Sequence, residues 1–200
     1  HPRRAARATA IAVSPISRIH HFGSSAVSMS LYDVSVASYL QALGGVSVVL
    51  AKGEEQAGEG QLDLDEIVRY KLRDDMAPFS FQVISVWHHS MNAIRGLKEG
   101  LFQPPPRMSG LDYPKLQGLV QEATTSLEGE SREDIDALAG KPMVFRIGDR
   151  EIPFTTDNFI LSFSLPNFYF HATTLYDILR LHGVPLGKRD YLGSLRVGRS

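Results

Sequence analysis

Residues 167–193 read NFYFHATTLYDILRLHGVPLGKRDYLG and combine an apolar helical pattern with an orderly run of turn residues. The pattern predicts a long last helix that is capped within residues 155–158 and stops at Gly183, with Pro185 just beyond. Pro166 lies within the predicted helix and should kink or divide it. This segment therefore predicts a helical fold in which the last long helix is a central element.

The same apolar helix carries polar side chains at Asn167, His171 and Tyr176. Asn167 and His171 are four residues apart, so they share one helical face. Polar groups on a buried helix either hydrogen-bond within the core or line a site. These three residues are therefore the first candidate site residues.

Upstream of this helix, the apolar spacing predicts three more long helices, each bounded by polar or Gly/Pro-rich segments. A polar, Gly-rich break follows the first helix, and a loop with three consecutive prolines follows the second. Two short helices are also predicted, one with Asp63 or Asp65 as its cap and one over residues 132–139 with Ser131 as its cap. The predicted long helices cover residues 34–50, residues 78–100 and residues 111–128, the break covers residues 53–61, and the loop covers residues 101–110.

Between the third and the last long helix, residues 143–154 switch to the alternating pattern of strands. Two short runs flank Gly148 and Asp149, which is typical of a β-hairpin. Four long helices and one hairpin predict an all-α fold, an antiparallel four-helix bundle with a small β-hairpin before the last helix. Such bundles build their sites from side chains on facing helices.

The composition of the chain excludes several kinds of site and partner. The chain has 200 residues, a formal net charge of −1 and no cysteine. Disulfides, thiolate metal sites and cysteine nucleophiles are therefore excluded, and the near-zero charge predicts neither nucleic acid nor a membrane as a partner. No apolar run reaches the ~18 residues of a membrane span. A cytoplasmic protein is the expectation.

Residues 1–28 differ from the rest, because they contain four arginines, many serines and alanines, and no acidic residue. This composition is typical of a mitochondrial transit peptide, and a disordered leader is the alternative. The predicted organisation is therefore a leader at residues 1–28, one bundle domain at residues 29–195 and a tail at residues 196–200.

Three strings carry a family resemblance: SLYDVSVASYLQAL at residues 30–43, DDMAPFSFQV at residues 74–83, and LPNFYFHATTLYDILRLHGVPLGKRDYLG at residues 165–193. They resemble a microbial family catalogued as a domain of unknown function. That family is grouped with the DinB/YfiT-like helical bundles, a superfamily regarded as metalloenzymes. The resemblance covers about residues 29–195 and implies a DinB-like four-helix bundle.

The resemblance also implies a metal site of three histidines, one on the second helix and an H-x-x-x-H pair on the last. This sequence has Asn167 and His171 in place of the pair, and His88 and His89 on the second helix. At about 100° per residue, His88 lies beside the core stripe, whereas His89 lies further round, towards solvent. The predicted ligands of a divalent ion (Zn, Ni or Mn) are thus His88, His171 and Asn167, with His89 as a substitute for His88.

The sequence is compatible with three interpretations of these residues. His88, Asn167, His171 and Tyr176 form a hydrogen-bonded core network, or a metal-free small-molecule pocket between the second and last helices, or a divalent-metal site. The alternative function is a non-catalytic bundle that supports a homodimer. No nucleophile–base pair stands out, so the sequence predicts no reaction.

Overall fold

The computed structural model describes residues 29–198, and the predicted leader lies outside this range. The described chain is mainly helical with one small sheet, and two of its helices contain a π-helical turn. The helices and turns, in chain order, are α1 Leu31–Val34, α2 Val36–Gly58, α3 Leu64–Arg69, α4 Phe79–Trp87, the first π-helical turn His88–Asn92, α5 Ala93–Glu99, α6 Tyr113–Glu128, α7 Arg132–Asp136, α8 Thr156–Phe159, the second π-helical turn Ile160–Ser164, α9 Leu165–Leu181 and α10 Lys188–Leu192.

The sheet has three strands, so the all-α prediction is corrected to a mainly helical fold with a small sheet. Strands β2 (Pro142–Ile147) and β3 (Arg150–Thr155) pair antiparallel across the predicted turn. Strand β1 (Leu101–Phe102) pairs parallel with β2, although the sequence predicted a loop there. Two residues are too few for an alternating pattern, so β1 is defined by its tertiary partner rather than by local sequence.

Helix α2 runs on to Gly58, so the polar break predicted at residues 53–61 is wrong over most of its length. Glutamate and glutamine are good helix formers, and they carry the helix through this polar stretch. Position 53 of α2 requires glycine, because a Cβ there would collide with the hydroxyl of Tyr113, which donates a hydrogen bond to the Leu50 carbonyl at 2.9 Å. Gly53 is therefore a packing residue.

Several predicted helix ends are confirmed. Asp63, Ser131 and Thr155 each accept a backbone N–H of the first turn of the helix that follows. Gly100 ends α5 in the left-handed conformation. Each side-chain cap satisfies a donor that the helix leaves free, and such caps contribute about 1 kcal/mol.

The core lies where α4 packs against α9 and α6, and where α2 packs against α6, α9 and α10. Large aromatic side chains fill it, among them Tyr39, Phe79, Phe159 and Phe168, each at most 1% exposed. Complete burial of such a side chain stabilises the fold by about 1.5–3 kcal/mol. These contacts fix α4 and α9 side by side.

Among residues 29–198, one helical span, Leu31–Gly58, is long and apolar enough to cross a membrane. Its apolar residues include Tyr39, Leu43 and Leu50, which are buried against other helices of this chain. A core helix of a bundle has this same composition.

The end of the chain folds back on α2, and we call residues 187–196 with their contacts the C-terminal clamp. Lys52 of α2 pairs with Asp190 at 2.9 Å, and the Gln41 amide donates to the Leu192 carbonyl at 3.2 Å. Gly45 makes this contact feasible, because a Cβ there would collide with the backbone oxygen of Tyr191. The turn residues after Gly183 thus lead the chain back to α2.

Candidate functional site

Two adjacent histidines are placed on one side of the site by the first π-helical turn. His88 and His89 are 5% and 8% exposed, so both are buried. The sequence had placed His89 towards solvent, and this is corrected. A π-helical turn hydrogen-bonds from i to i+5 and is wider than an α-helical turn. The direction in which a side chain points can therefore not be extrapolated across it at 100° per residue. We call His88, His89 and His171 the histidine cluster.

Within the cluster, His171 lies beside His89. Their ring centroids are 6.2 Å apart and the ring planes differ by 16°. Burial lowers the pKa of His171 to about 4, and burial together with the neighbouring histidines lowers the pKa of His89 to about 3. Burial also lowers the pKa of His88. The three rings are therefore neutral near pH 7.

On α4, Gln82 holds the ring of His171. The Gln82 side chain is 1% exposed, and its amide nitrogen donates to the Ala77 carbonyl at 2.9 Å. Its oxygen lies 2.7 Å from Nδ1 of His171. Among the described residues, Nε2 of His171 makes no hydrogen bond.

On the other side, His89 contacts a hydroxyl chain from two further helices. Tyr39 donates to Ser164 Oγ at 2.9 Å, and Ser164 donates to the His89 carbonyl at 2.9 Å. The same Oγ lies 3.5 Å from Nδ1 of His89. Ser164 ends the second π-helical turn, so both π-helical turns meet at this contact. π-helical turns are frequent at functional sites.

His88 faces a different segment. Its Nε2 lies 2.7 Å from the Gln103 carbonyl, and its ring lies 4.5 Å from that of Phe102. We call residues 103–109 the proline strap. Because a carbonyl only accepts, Nε2 carries the proton, and Nδ1 is a bare acceptor. Nδ1 is buried and unpaired within the described part of the chain.

The other two predicted site residues make contacts of their own. The Asn167 amide donates to the Phe163 carbonyl at 2.7 Å, one turn earlier on the same helix. The ring of Tyr176 packs edge-on at 5.8 Å against Tyr191 of the C-terminal clamp. The structure thus brings His89 and His171 together, with His88 next to His89, and it gives Tyr176 a contact in the clamp.

The residues do not fit the three-histidine metal centre that the resemblance implies. Within residues 29–198, no group of three or more His, Asp or Glu side chains is placed to hold one ion. Asn167 offers an amide, which is a poor ligand for zinc, and its nitrogen is bonded along its own helix. His89 and His171 supply two imidazoles, one ligand fewer than the three protein ligands that a catalytic zinc site normally has.

Clefts lie beside the cluster rather than within it. A cleft of about 260 Å³ is lined by His88, Phe102 and the proline strap. A second, of about 510 Å³, lies between Phe81 and the strap. The ring of Phe81 lies 5.8 Å from that of His171, so this side chain separates the second cleft from the paired histidines.

Sequence reasoning missed Gln82, Ser164 and Tyr39. Gln82 carries a usable signal, because a glutamine within the apolar run FSFQVISVW must find a partner when it is buried. Ser164 and Tyr39 carry none, because serine and tyrosine are common at helix surfaces and their contact depends on how α2 and α9 pack.

Comparison with known proteins gives three findings. A family model described as a domain of unknown function (DUF1993) matches residues 31–192. The crystal structure of a DinB family member protein from Shewanella denitrificans superposes with a TM-score of 0.71 at 26% identity, covering 85% of this chain and 96% of that one. A search of curated proteins finds no match.

Proposed function

This chain belongs to the DUF1993 family, and from that premise we propose that it is a DinB-like antiparallel four-helix bundle whose histidine cluster binds a small uncharged molecule. The observation that carries the proposal is the pairing of His89 and His171 with both Nε2 atoms unbonded in the described chain. Among the described residues, the only side-chain nitrogen or oxygen that is both buried and unpaired is Nδ1 of His88, so neither Nε2 is fully buried, which supports access of a small molecule to the pair.

The surroundings of the pair favour an aromatic or otherwise apolar ligand body. Phe163 lies 5.7 Å from His89, and Phe81 lies 5.8 Å from His171. Small-molecule sites combine such apolar walls with a few polar groups that fix orientation. Phe81 is 37% exposed, so a change in its rotamer would open the route from the cleft to His171.

The proposal is tested by NMR on chelator-treated protein with ¹⁵N-labelled histidine. Phenol serves as the probe, because it joins one hydrogen-bond donor to an aromatic ring. We expect saturable shifts of the His89 and His171 nitrogens at millimolar phenol, with His182 as the internal control. Loss of these shifts in a folded Phe81→Trp variant would support entry past Phe81.

Zinc binding is the alternative outcome that the same experiment tests. Under the proposal, chelator leaves the melting temperature unchanged within about 1 °C, because the donor set lacks a third imidazole. Stoichiometric zinc binding in the low micromolar range, with no response to phenol, would replace the proposal with a metal centre. Metal acquired from an affinity resin is excluded by purifying untagged protein.

A second candidate function, self-association, is favoured by exposed apolar side chains. Leu161, Tyr169 and Phe170 are 53%, 40% and 56% exposed on the second π-helical turn and α9. Exposed apolar patches mark interaction surfaces more often than isolated side chains do. We propose a homodimer through this face, to be checked by analytical ultracentrifugation of the wild type and of Phe170→Ser, with Leu181→Ser as the control.

A further inference from the structure

We propose that Gln82 is a positioning residue that fixes the proton of His171 on Nδ1, so that the paired histidines present bare Nε2 atoms and select ligands that donate a hydrogen bond. The identity of the ligand rests on the proposed function. The protonation pattern does not, because it is a property of the free protein.

The orientation of the Gln82 amide follows from its partner. Ala77 offers a carbonyl oxygen, which only accepts, and the Gln82 side chain approaches it at 2.9 Å. The atom that faces Ala77 must therefore be the amide nitrogen. Gln82 is held in place by its backbone as well, because its N–H donates to the Pro78 carbonyl at 3.2 Å. The Gln82 oxygen is thus fixed towards His171.

The protonation of His171 follows in turn. The Gln82 oxygen also only accepts, and it lies 2.7 Å from Nδ1 of His171. A neutral imidazole has one N–H, so Nδ1 carries it and Nε2 keeps a lone pair. Free imidazole side chains in water favour the opposite tautomer, with the proton on Nε2. Gln82 therefore selects the minor tautomer.

The hydroxyl chain favours the same tautomer for His89, with the proton on Nδ1. Ser164 has one hydrogen, which it donates to the His89 carbonyl at 2.9 Å, and it accepts from Tyr39. The contact of 3.5 Å with Nδ1 of His89 is then favourable when Nδ1 is the donor. Nε2 of His89 is left as an acceptor.

Two bare nitrogens define the class of ligand. Each offers a lone pair, so the pair attracts hydrogen-bond donors such as hydroxyl or N–H groups and repels anions. The aromatic rings of Phe81 and Phe163 add an apolar wall beside the nitrogens. An uncharged aromatic alcohol or amine meets these conditions, whereas phosphate or a carboxylate does not.

Long-range ¹H–¹⁵N NMR distinguishes protonated from bare ring nitrogens and tests the positioning step without ligand. We expect His171 in the wild type to be the Nδ1–H tautomer. Gln82→Met keeps the shape of the side chain but removes the acceptor, so His171 should shift towards Nε2–H. Gln82→Glu with its carboxyl protonated can donate to the Ala77 carbonyl and retains an oxygen towards Nδ1, so under conditions that keep this carboxyl protonated it should preserve the wild-type tautomer.

A control variant distinguishes a change in the His171 tautomer from a general loss of stability. Thr174 is buried on α9 and donates to the Phe170 carbonyl at 2.8 Å, so Thr174→Val removes one polar contact from the same helix. It should leave the tautomer unchanged. A wild-type His171 with its proton on Nε2, or a folded Gln82→Met that keeps Nδ1–H, would overturn the positioning role.

Ligand binding is then measured with phenol and with inorganic phosphate. We expect phenol to shift the nitrogens of His89 and His171, phosphate to leave them unchanged, and Gln82→Met to weaken phenol binding about tenfold. Phosphate binding equal to that of phenol would overturn the ligand class. A correct tautomer pattern without phenol binding would support the positioning role and contradict the proposed function, so the two failures are distinguishable.

Discussion

Helix α9 contributes to two regions that satisfy their polar groups in opposite ways. In the C-terminal clamp, Tyr191 and Thr173 hydrogen-bond to each other at 2.9 Å, and Asp190 pairs with Lys52. In the histidine cluster, the described residues leave Nδ1 of His88 buried and unpaired. Under the proposal above, the clamp maintains the fold, whereas the cluster keeps acceptors free for a ligand.

The largest effect of a single substitution is expected in the clamp, from Gly45→Ala. The new Cβ collides with the Tyr191 backbone, and we expect a loss of about 2 kcal/mol in the free energy of unfolding, or about 4–8 °C in melting temperature. The matched control is Gly44→Ala on the same helix, where the Cβ meets no atom within 4 Å of the described chain. It should stabilise α2 by about 0.5–1 kcal/mol. Equal effects at both positions would contradict the close contact.

The histidine cluster should instead make the free energy of unfolding depend on pH. The ordinary pKa of 6.5 falls to about 4 for His171 and to about 3 for His89 in the folded protein. Between these values the unfolded state binds more protons, so stability falls as the pH drops below about 6.5 and levels off below the folded pKa values. We expect a loss of about 1–2 kcal/mol per histidine by pH 5.

Urea unfolding at pH 7 and pH 5 measures this loss. His171→Leu removes one of the titrating groups, so its stability should depend less on pH than that of the wild type. Thr174→Val on the same helix should keep the wild-type dependence. Identical pH dependence in His171→Leu and the wild type would show that the cluster does not resist protonation.

A smaller effect tests whether the cluster also holds the proline strap. Apart from the Gln103 carbonyl bonded to His88, the backbone of residues 103–109 makes no hydrogen bond with the described chain. We expect His88→Phe to increase tryptic cleavage after the exposed Arg107 by about five- to tenfold, as expected for loss of one hydrogen bond. Cleavage after Arg150 in the hairpin serves as the internal reference. An unchanged ratio would mean that packing, rather than His88, holds the strap.

Much of the fold could be predicted because local signals agree with it. The caps at Asp63, Ser131 and Thr155 lie where the sequence placed them. Where prediction failed, a distant partner decided the local structure. Strand β1 exists because β2 lies beside it, and the glycine at position 53 inside α2 leaves space for Tyr113 rather than ending the helix.

The candidate site was predictable in its residue types but not in its geometry. The spacing singled out His171 and the histidine pair on the second helix, and the structure places His171 beside His89. The spacing could not assign His88 and His89 to their contacts, because the local sequence carries no signal for the π-helical turn at His88–Asn92. Gln82 and Ser164 join the site only through contacts between helices that are far apart in sequence.

The smallest expected effect concerns the ion pair between Lys52 and Asp190. The two side chains are 33% and 20% exposed, so solvent screens their attraction. The carboxylate of Asp190 also accepts the Gly187 N–H at 2.7 Å, and this bond, followed by Lys52, lowers the pKa of Asp190. Lys52→Met keeps the apolar stem and removes the charge. We expect the melting temperature to fall by only about 1–2 °C, and the difference to disappear in about 1 M salt. A loss as large as that of Gly45→Ala would show that charge, rather than close backbone packing, holds the clamp.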